Sequence, residues 1–487
     1  MKLAPVALLV VVLSHSAAPA VAQSSKDPVI QKLEERIPAL MKKGDVPGLS
    51  VAYISKNKLA WHRVFGVTNT QTKAPVTNTS IFEAASLSKP LFAYAVMKLV
   101  DEGKLDLDKP LIEYLSAPYP AVYNPLISKI TARHVLSHTT GFPNWRNGDT
   151  LKIFFEPGNR FSYSGEGFVY LSKVVESITG EKFGDLMKRT VLDPLGMKSS
   201  SYSWRKNYDT DKVFGHNTRG EPAGQDKLDE GYYNAAASLH TTAEDYAKFV
   251  VAMLQSDGIK KRTRDMMLTA VVQTHAKGTQ TINRPQAPLF PGVFWGLGWG
   301  LQDINGKQSF FHWGDNGDYK GFVVGRLKEQ DAILFFANST YGLSIASELV
   351  RDALNMDVPA TVWLREEKYN APPRRLFRDL LAKGAAVVMP QYLEWRKSQP
   401  TDSLINEDRM NRIGLDLLRV GKVADAIVVL QQNVDDYPKS FNVFDSLGEA
   451  YAVNGDKELA IKNYEISIQL NPDNRDGINA LKKLKAP

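Results

Sequence analysis

The segment from Ala85 to Pro90 constrains this chain most, because it can place a hydroxyl and an amine on one face of a helix. Ser86 and Lys89 are three positions apart, and residues at that spacing are neighbours on a helix. Pro90 fits only the first turn of a helix, and the apolar-rich run Leu91–Asp101 predicts that a helix follows. We therefore expect Ser86 at the helix N-terminus, where free N–H groups and the helix dipole favour a negative oxygen.

The S-x-x-K spacing is a weak signal by itself. It also occurs at Ser55–Lys58, in a predicted hairpin turn, and at Ser203–Lys206, in a polar stretch without apolar periodicity. Only Ser86 precedes a predicted helix. If Lys89 is desolvated there, its pKa falls and its amine can take the proton of the Ser86 hydroxyl.

Length and composition limit the number of domains and the kinds of chemistry that the chain can have. The chain has 487 residues, which exceeds what a single core supports, so two or more domains are expected. The absence of cysteine excludes disulfides, thiol mechanisms and thiolate metal sites. The net charge is +7, but the basic residues are interspersed with acidic ones and form no blocks. This charge is a weak hint of binding to an anionic envelope surface and does not predict nucleic-acid binding.

The N-terminus has the three regions of a secretory signal peptide. Met1-Lys2 precedes the apolar run Leu3–Leu13, and Ala20-Val21-Ala22 predicts cleavage before Gln23, so residues 1–22 are assigned to the signal. No later apolar run approaches the roughly 18 residues that span a bilayer. We expect an exported protein, periplasmic or extracellular, without a transmembrane segment in the mature chain.

The periodicity predicts early strands, a long helical middle and late strands. The predicted helices and helical pieces are Val29–Met41, Gly103–Tyr114, Ile130–His138, Phe168–Thr179, a helix opened by a capping box at Thr241–Glu244 and running through Leu254, and Ser344–Leu354. The predicted strands are Leu49–Ile54, Leu59–Phe65, Trp295–Ile304, Gln308–Trp313, Gly321–Leu327 and Ala332–Asn338. Val191–Met197 is predicted to be a turn.

Two histidines, His134 and His138, have the i, i+4 spacing of metal ligands on a helix. No glutamate follows the first histidine, as a zinc protease requires, and Gly141 is interpreted as the helix stop. We therefore favour a structural role for His138 over a metal site.

Three other segments are candidates for a site. Tyr163 lies in a glycine-rich turn before a helix, where it could line a cleft. Gly314 lies at a strand end, where it would let a substrate backbone approach closely. The run Gly296–Gly300 suggests a nucleotide loop, but it lies within a predicted strand with no helix after it, so that interpretation is rejected.

Five motifs, in this order, resemble the serine β-lactamase-related and penicillin-binding family. They are Ser86-Leu87-Ser88-Lys89, Leu136-Ser137-His138-Thr139-Thr140-Gly141, Tyr163-Ser164-Gly165, Pro194-Leu195-Gly196-Met197 and His312-Trp313-Gly314. The family includes class C β-lactamases, D-alanyl-D-alanine carboxypeptidases, D-aminopeptidases and related esterases. The resemblance assigns a hydrolase domain to residues 27–356.

The resemblance implies an α/β (α+β) fold of the β-lactamase/transpeptidase type, an antiparallel sheet with a helical subdomain. It implies acyl transfer with Ser86 as nucleophile, Lys89 as proton acceptor, Tyr163 as shared acid/base and His312 at the third-motif position. The N–H groups of Ser86 and Asp315 would form the oxyanion hole, and Gly314, Trp313 and Gly165 would line the substrate site. No cofactor and no metal are expected.

Two departures from the family pattern bear on the substrate. Gly165 stands where the second motif commonly has asparagine, which removes an amide contact to an acylamino side chain. His312 stands where class C β-lactamases have lysine, and Trp313 replaces a small hydroxyl residue; a histidine is a poorer permanent cation for a carboxylate. Both favour a D-amino-acid peptide or a small ester as substrate. The alternatives are a true class C-like β-lactamase and a non-catalytic binding protein, although the latter would not need Ser86, Lys89 and Tyr163.

The C-terminal part has a different pattern. Residues 357–400 form a linker with short helices predicted around Arg375–Leu381 and Gln391–Lys397. In residues 401–487 a period of 34 relates Gly414 to Gly448, Gly421 to Gly455, Ala426 to Ala460 and Pro438 to Pro472. This pattern resembles tetratricopeptide repeats, which implies an all-α region that binds a protein or peptide partner. Because two repeats bury little alone, we expect neighbouring helices to extend the stack, or the stack to dock on the hydrolase domain.

Overall fold

The computed structural model describes residues 27–117, 119, 124–146, 148, 150–224, 227–229, 231–276, 278–282, 287–398 and 405–485. The predicted signal peptide lies outside these residues. Among the helices in the described ranges, none combines the length and the apolar character needed to cross a bilayer.

One antiparallel sheet of eight strands forms the centre of the N-terminal part, in the order β2-β1-β10-β9-β8-β7-β6-β5. The strands are β1 Gly48–Ser55, β2 Lys58–Gly66, β5 Val272–His275, β6 Leu289–Trp295, β7 Gly300–Ile304, β8 Lys307–Asp315, β9 Lys320–Arg326 and β10 Asp331–Ala337, while β3 Phe82–Glu83 and β4 His240–Thr241 pair separately. The early hairpin therefore joins the late strands through the β1–β10 pair. The prediction of one strand over Trp295–Ile304 is wrong, because the chain turns between β6 and β7 with Gly298 at φ +81°.

Nine helices lie in the same part of the described chain. They are α1 Pro28–Gly44, α2 Ser88–Asp101, α3 Ala132–Leu136, α4 Gly165–Thr179, α5 Phe183–Met187, α6 Tyr208–Asp211, α7 Ala243–Gln255, α8 Lys261–Met267 and α9 Ala346–Leu354. Short 3-10 turns occupy Ala85–Leu87, Leu111–Tyr114, Pro125–Lys129 and Gly342–Ile345, and a π-helical turn occupies Lys188–Leu192.

Three local predictions are corrected by these elements. The helical pieces predicted within 103–138 are shorter in the structure, where only 3-10 turns at Leu111–Tyr114 and Pro125–Lys129 and the five-residue helix α3 occur. The segment predicted to turn at Val191 is still π-helical through Leu192. The cap of α7 is Thr242 rather than Thr241, because the Thr242 hydroxyl accepts the N–H of Asp245 at 3.1 Å.

The sheet is covered on both faces, and the side chains of β1 show how. Leu49, Val51 and Tyr53 belong to the apolar cluster that includes residues of α1 and α9. Ala52 and Ile54 belong to the cluster that includes residues of α2, α4 and α7. Because successive strand side chains point to opposite faces, one strand contributes to two cores. The result is a helix–sheet–helix arrangement.

The C-terminal part is helical and repeats. Its helices are α10 Pro359–Trp363, α11 Pro372–Lys383, α12 Ala385–Ser398, α13 Glu407–Arg419, α14 Val423–Asp436, α15 Phe441–Asn454, α16 Lys457–Leu470 and α17 Arg475–Lys485. The pair α15 and α16 begins 34 residues after the pair α13 and α14, which matches the period in the sequence. Helices α11 and α12 share one apolar cluster with α13, α14 and α15, so the segment between the two parts extends the stack.

The helical stack contacts the sheet-containing part through the buried Arg374. The Arg374 guanidinium of α11 lies 2.7 Å from an Asp45 carboxylate oxygen, 3.1 Å from the Gly44 carbonyl and 3.9 Å from the centre of the Tyr341 ring. A cavity of about 430 Å³ separates α13 from the end of β8, with Asp315 in its wall.

Candidate active site

Ser86 lies in the 3-10 turn directly before α2, which agrees with its predicted place at a helix start. Its neighbours Ala85 and Leu87 are buried, whereas Ser86 is partly exposed. Ala85 adopts φ +50°, a conformation that costs a non-glycine residue about 1 kcal/mol and is held by surrounding contacts. One of these contacts is the Ser88 hydroxyl, which donates to the Ala85 carbonyl at 2.6 Å. The strained turn therefore leaves Ser86 partly exposed between two buried neighbours.

Lys89 is fully buried, because α2 is apolar on nearly every side and runs through the core. Its Nζ atom lies 2.9 Å from Ser86 Oγ and donates to the Ala236 carbonyl at 2.9 Å. Burial lowers the pKa of the Lys89 amine well below its ordinary value. The amine is therefore placed to accept the Ser86 proton, and its lowered pKa favours the uncharged form that can do so.

The loop that supplies the Ala236 carbonyl was not identified from the sequence. Asn234 holds it, because the side-chain carbonyl of Asn234 accepts the N–H of Ala236 at 2.8 Å. A backbone carbonyl carries no residue-type signal, so no motif could have identified it.

Tyr163 stands on the other side of Lys89. The Nζ atom lies 4.7 Å from the centre of the Tyr163 ring. Burial raises the pKa of the phenol, while its contact with the Ser86 hydroxyl lowers it by less. The phenol is therefore neutral at rest and close to both Ser86 and Lys89.

His312 and Trp313, on β8, complete this aromatic cluster. Their rings lie 6.2 Å and 4.8 Å from the Tyr163 ring, centre to centre. His312 Nδ1 is held by the Trp313 backbone, and its buried Nε2 has no partner among the described residues. Burial and, secondarily, the nearby Lys89 lower the pKa of His312 to about 3. The imidazole is therefore neutral near neutral pH and supplies no permanent positive charge.

Gly314 brings the end of β8 against the turn that carries Ser86. A Cβ atom at position 314 would stand 2.2 Å from the Ala84 carbonyl oxygen. The absence of a side chain at Gly314 therefore admits the protein's own backbone, and the contact of Gly314 with a substrate backbone stays a prediction. The next residue, Asp315, pairs with Lys320 at 2.5 Å across the β8–β9 ladder.

His138 lies inside this cluster, which the sequence interpretation missed. Helix α3 ends at Leu136 and His138 adopts φ +57°, so Gly141 is not the helix stop. The His138 ring stacks on Tyr163 at 4.2 Å, and its Nδ1 accepts the Ser164 N–H at 3.0 Å. Burial, followed by Lys89 and His312, lowers its pKa well below the ordinary value, so the neutral ring carries its proton on Nε2.

His134 has a separate local role. Its Nδ1 accepts the Thr131 N–H at 3.3 Å in the capping box of α3. The structural interpretation therefore applies to His134, whereas His138 shapes the candidate site.

Gly165 begins α4, two residues after Tyr163. The indole of Trp145 fills the space that a side chain at this position would take, since a Cβ would stand 2.5 Å from Trp145 Cη2. Trp145 was not singled out by the sequence, because only the tertiary contact relates it to position 165.

The beta-lactamase family model matches residues 33–355. "Protein flp" of Staphylococcus aureus (strain N315) is 22% identical over 327 residues, a match that covers 63% of this chain and 63% of that protein. The match therefore spans less than two thirds of the length of this relative.

Two solved structures share the fold. The octameric penicillin-binding protein homologue from Pyrococcus abyssi aligns with a TM-score of 0.57 at 23% identity, covering 72% of this chain and 82% of that chain. The D-alanine carboxypeptidase AmpC from Burkholderia cenocepacia aligns with a TM-score of 0.55 at 18% identity, covering 67% and 98%. With the family match over most of the sheet-containing part, these findings show that the chain belongs to the beta-lactamase family.

Proposed function

We propose that this chain is an exported serine hydrolase that acts through an acyl-enzyme on an amide or ester, either a D-amino-acid peptide or a small ester. The observation that carries the proposal is the 2.9 Å contact between Ser86 Oγ and the buried Lys89 amine. A neutral amine beside a partly exposed hydroxyl is the arrangement that activates a serine nucleophile.

The proposed reaction has two steps. Ser86 Oγ attacks the substrate carbonyl as its proton passes to Lys89, and the backbone N–H groups of Ser86 and Asp315 stabilise the oxyanion. Tyr163 gives its proton to the leaving amine or alkoxide as the C–N or C–O bond breaks, and it recovers a proton from Lys89. Water then attacks the Ser86 ester by the same proton path in reverse, which releases the acid and restores the enzyme.

The neutral state of His312 favours a small ester, because a permanent cation at position 312 would attract the carboxylate of a β-lactam or of a D-Ala-D-Ala peptide and burial keeps this imidazole uncharged. The bulk of Trp313 favours a flexible peptide over the rigid ring system of a β-lactam. A class C-like β-lactamase remains the second candidate because a solved class C beta-lactamase mutant has the same fold.

We further propose that the helical repeats bind a peptide or protein partner. The support is the 34-residue helix-pair period and the contact of the stack with the hydrolase part.

Turnover of three substrates tests the proposal and ranks the candidates. We expect purified wild type to hydrolyse a short-chain aryl ester or a D-Ala-D-Ala peptide faster than a chromogenic cephalosporin, and Ser86→Ala to hydrolyse none of them. Faster cephalosporin turnover would favour the β-lactamase. If wild type, like Ser86→Ala, hydrolyses none of the three substrates above the uncatalysed rate, only a binding protein on a hydrolase fold is left.

A further inference from the structure

Trp145 is a large aromatic side chain with an open surface next to the candidate site. It is 45% exposed. Its six-membered ring lies against Gly165, with Cη2, Cζ3 and Cζ2 at 2.5, 2.7 and 2.8 Å from the place of a Cβ atom. Such a contact is possible only because position 165 has no side chain.

The backbone directs this indole toward Tyr163. Ser164, between Tyr163 and Gly165, is extended with φ −140° and ψ 121°. In extended backbone, residues two apart project their Cβ atoms to the same side. The indole that replaces a side chain at Gly165 therefore lies on the same side of the backbone as the Tyr163 side chain.

Trp145 is held in place from both sides. The Asn144 side chain accepts the Gly165 N–H at 2.9 Å, and its carbonyl accepts the Glu166 N–H at 3.0 Å. The Arg146 N–H donates to Glu166 at 3.1 Å, and its guanidinium donates to Glu166 at 2.7 Å. Both residues that flank Trp145 are therefore hydrogen-bonded to the start of α4. Because the backbone at Trp145 is already ordered, this segment loses little conformational entropy when a ligand contacts the indole.

The charges next to Trp145 offset each other, because Arg146 and Glu166 form an ion pair. The open face of the indole therefore offers an apolar, polarisable surface rather than a charge, which suits an aromatic or aliphatic group.

We propose that Trp145 forms the wall of the acyl-side subsite and selects substrates with an aromatic or bulky apolar group on the acyl side of the scissile bond. This inference rests on the proposed function. The acyl side is assigned because Gly165 stands where the family motif commonly has an amide that contacts an acylamino side chain.

The test compares two esters with the same leaving group, p-nitrophenyl acetate and p-nitrophenyl phenylacetate, in the full chain. Wild type should prefer the phenylacetate in kcat/KM. Trp145→Ala should lower the phenylacetate-to-acetate ratio by about tenfold, and Trp145→Phe by less than about threefold, because an aromatic ring remains.

Two further variants test whether a change in the phenylacetate-to-acetate ratio comes from the Trp145 site itself or from the loss of any exposed aromatic ring. Gly165→Ala should lower the same ratio, because the added Cβ displaces the indole. Phe154→Ala removes a comparably exposed aromatic ring, 42% against 45% for Trp145, and should leave the ratio unchanged.

The outcomes distinguish the two proposals. An unchanged ratio in both Trp145→Ala and Gly165→Ala, with wild type active through Ser86, overturns the subsite and leaves the proposed function standing. Ester hydrolysis that is equal in wild type and Ser86→Ala overturns the proposed function and the subsite together.

Discussion

Lys89 Nζ lies 2.9 Å from Ser86 Oγ on a side chain with no exposed surface. Burial lowers the pKa of this amine, and that shift has an energetic cost. Between the lowered pKa of the folded amine and the ordinary pKa of the unfolded one, the unfolded chain binds more of this proton than the folded chain does, so protonation favours unfolding. The feature that suits Lys89 to accept a proton therefore reduces the stability of the fold.

Lys89→Met should abolish activity and stabilise the protein. We expect ester hydrolysis to fall by about 10³-fold or more and the unfolding free energy near pH 7 to rise by about 1–2 kcal/mol. Because the folded pKa is lowered, wild-type stability rises with pH up to the unfolded pKa of about 10.4, so the advantage of Met should shrink near pH 10. Urea unfolding at the two pH values measures this difference. A loss of stability near pH 7 would contradict the account.

Gly314→Ala should damage both the fold and the site. The added Cβ would stand 2.2 Å from the Ala84 carbonyl oxygen, so β8 or the Ser86 turn must move. We expect a loss of about 2–4 kcal/mol in unfolding free energy and a fall in kcat. Gly224→Ala is the matched control, because nothing lies within 4 Å of its Cβ position. Wild-type stability and activity in Gly314→Ala would refute the close approach of β8 to the turn.

His240 should contribute to destabilisation in acid. Burial lowers its pKa from 6.5 to about 4, so the unfolded state takes up a proton first and stability falls as pH drops through this window. The ring stacks on Tyr208 at 5.4 Å, a contact that phenylalanine can keep. In His240→Phe, the stability lost between about pH 7 and pH 4.5 should shrink by up to roughly 2–3 kcal/mol. An unchanged pH dependence of urea unfolding would contradict the assignment.

Arg374→Ala should release the helical stack from the sheet-containing part. The substitution removes the ion pair of the buried Arg374 with the exposed Asp45 and a ring contact with Tyr341, which should weaken docking by about 1–2 kcal/mol. Limited proteolysis should then cut sooner in the segment before α11. The neighbouring Arg375 is exposed, so Arg375→Ala should show the wild-type cleavage rate. Equal cleavage of all three proteins would show that Arg374 does not hold the two parts together.

The sequence predicted those features that depend on local periodicity. The apolar run of β1 and the nearly all-apolar α2 could be predicted because each element carries its own local pattern. The 34-residue period likewise matches the spacing of the helix pairs α13–α14 and α15–α16. The proximity of Ser86, Tyr163 and His312 came from the order of motifs, since no periodicity relates such distant segments.

Contacts between distant segments explain most of what was missed. The close approach of Ala84 to Gly314 was missed because the sequence neighbours of Gly314 do not reveal it. His138 was assigned to a helix end, but its backbone turns at φ +57° and carries the ring onto Tyr163. Trp145 carries no motif and was revealed only by its contact with Gly165.

Covalent labelling with a fluorophosphonate, followed by peptide mass spectrometry, tests directly whether Ser86 is a nucleophile that Lys89 activates. The account predicts one adduct, on the peptide that contains Ser86, with no adduct in Ser86→Ala and labelling slowed by about 10³-fold or more in Lys89→Met. Labelling of Ser86→Ala at the wild-type rate, or an adduct on another residue only, would contradict the assignment of Ser86 as a nucleophile activated by Lys89.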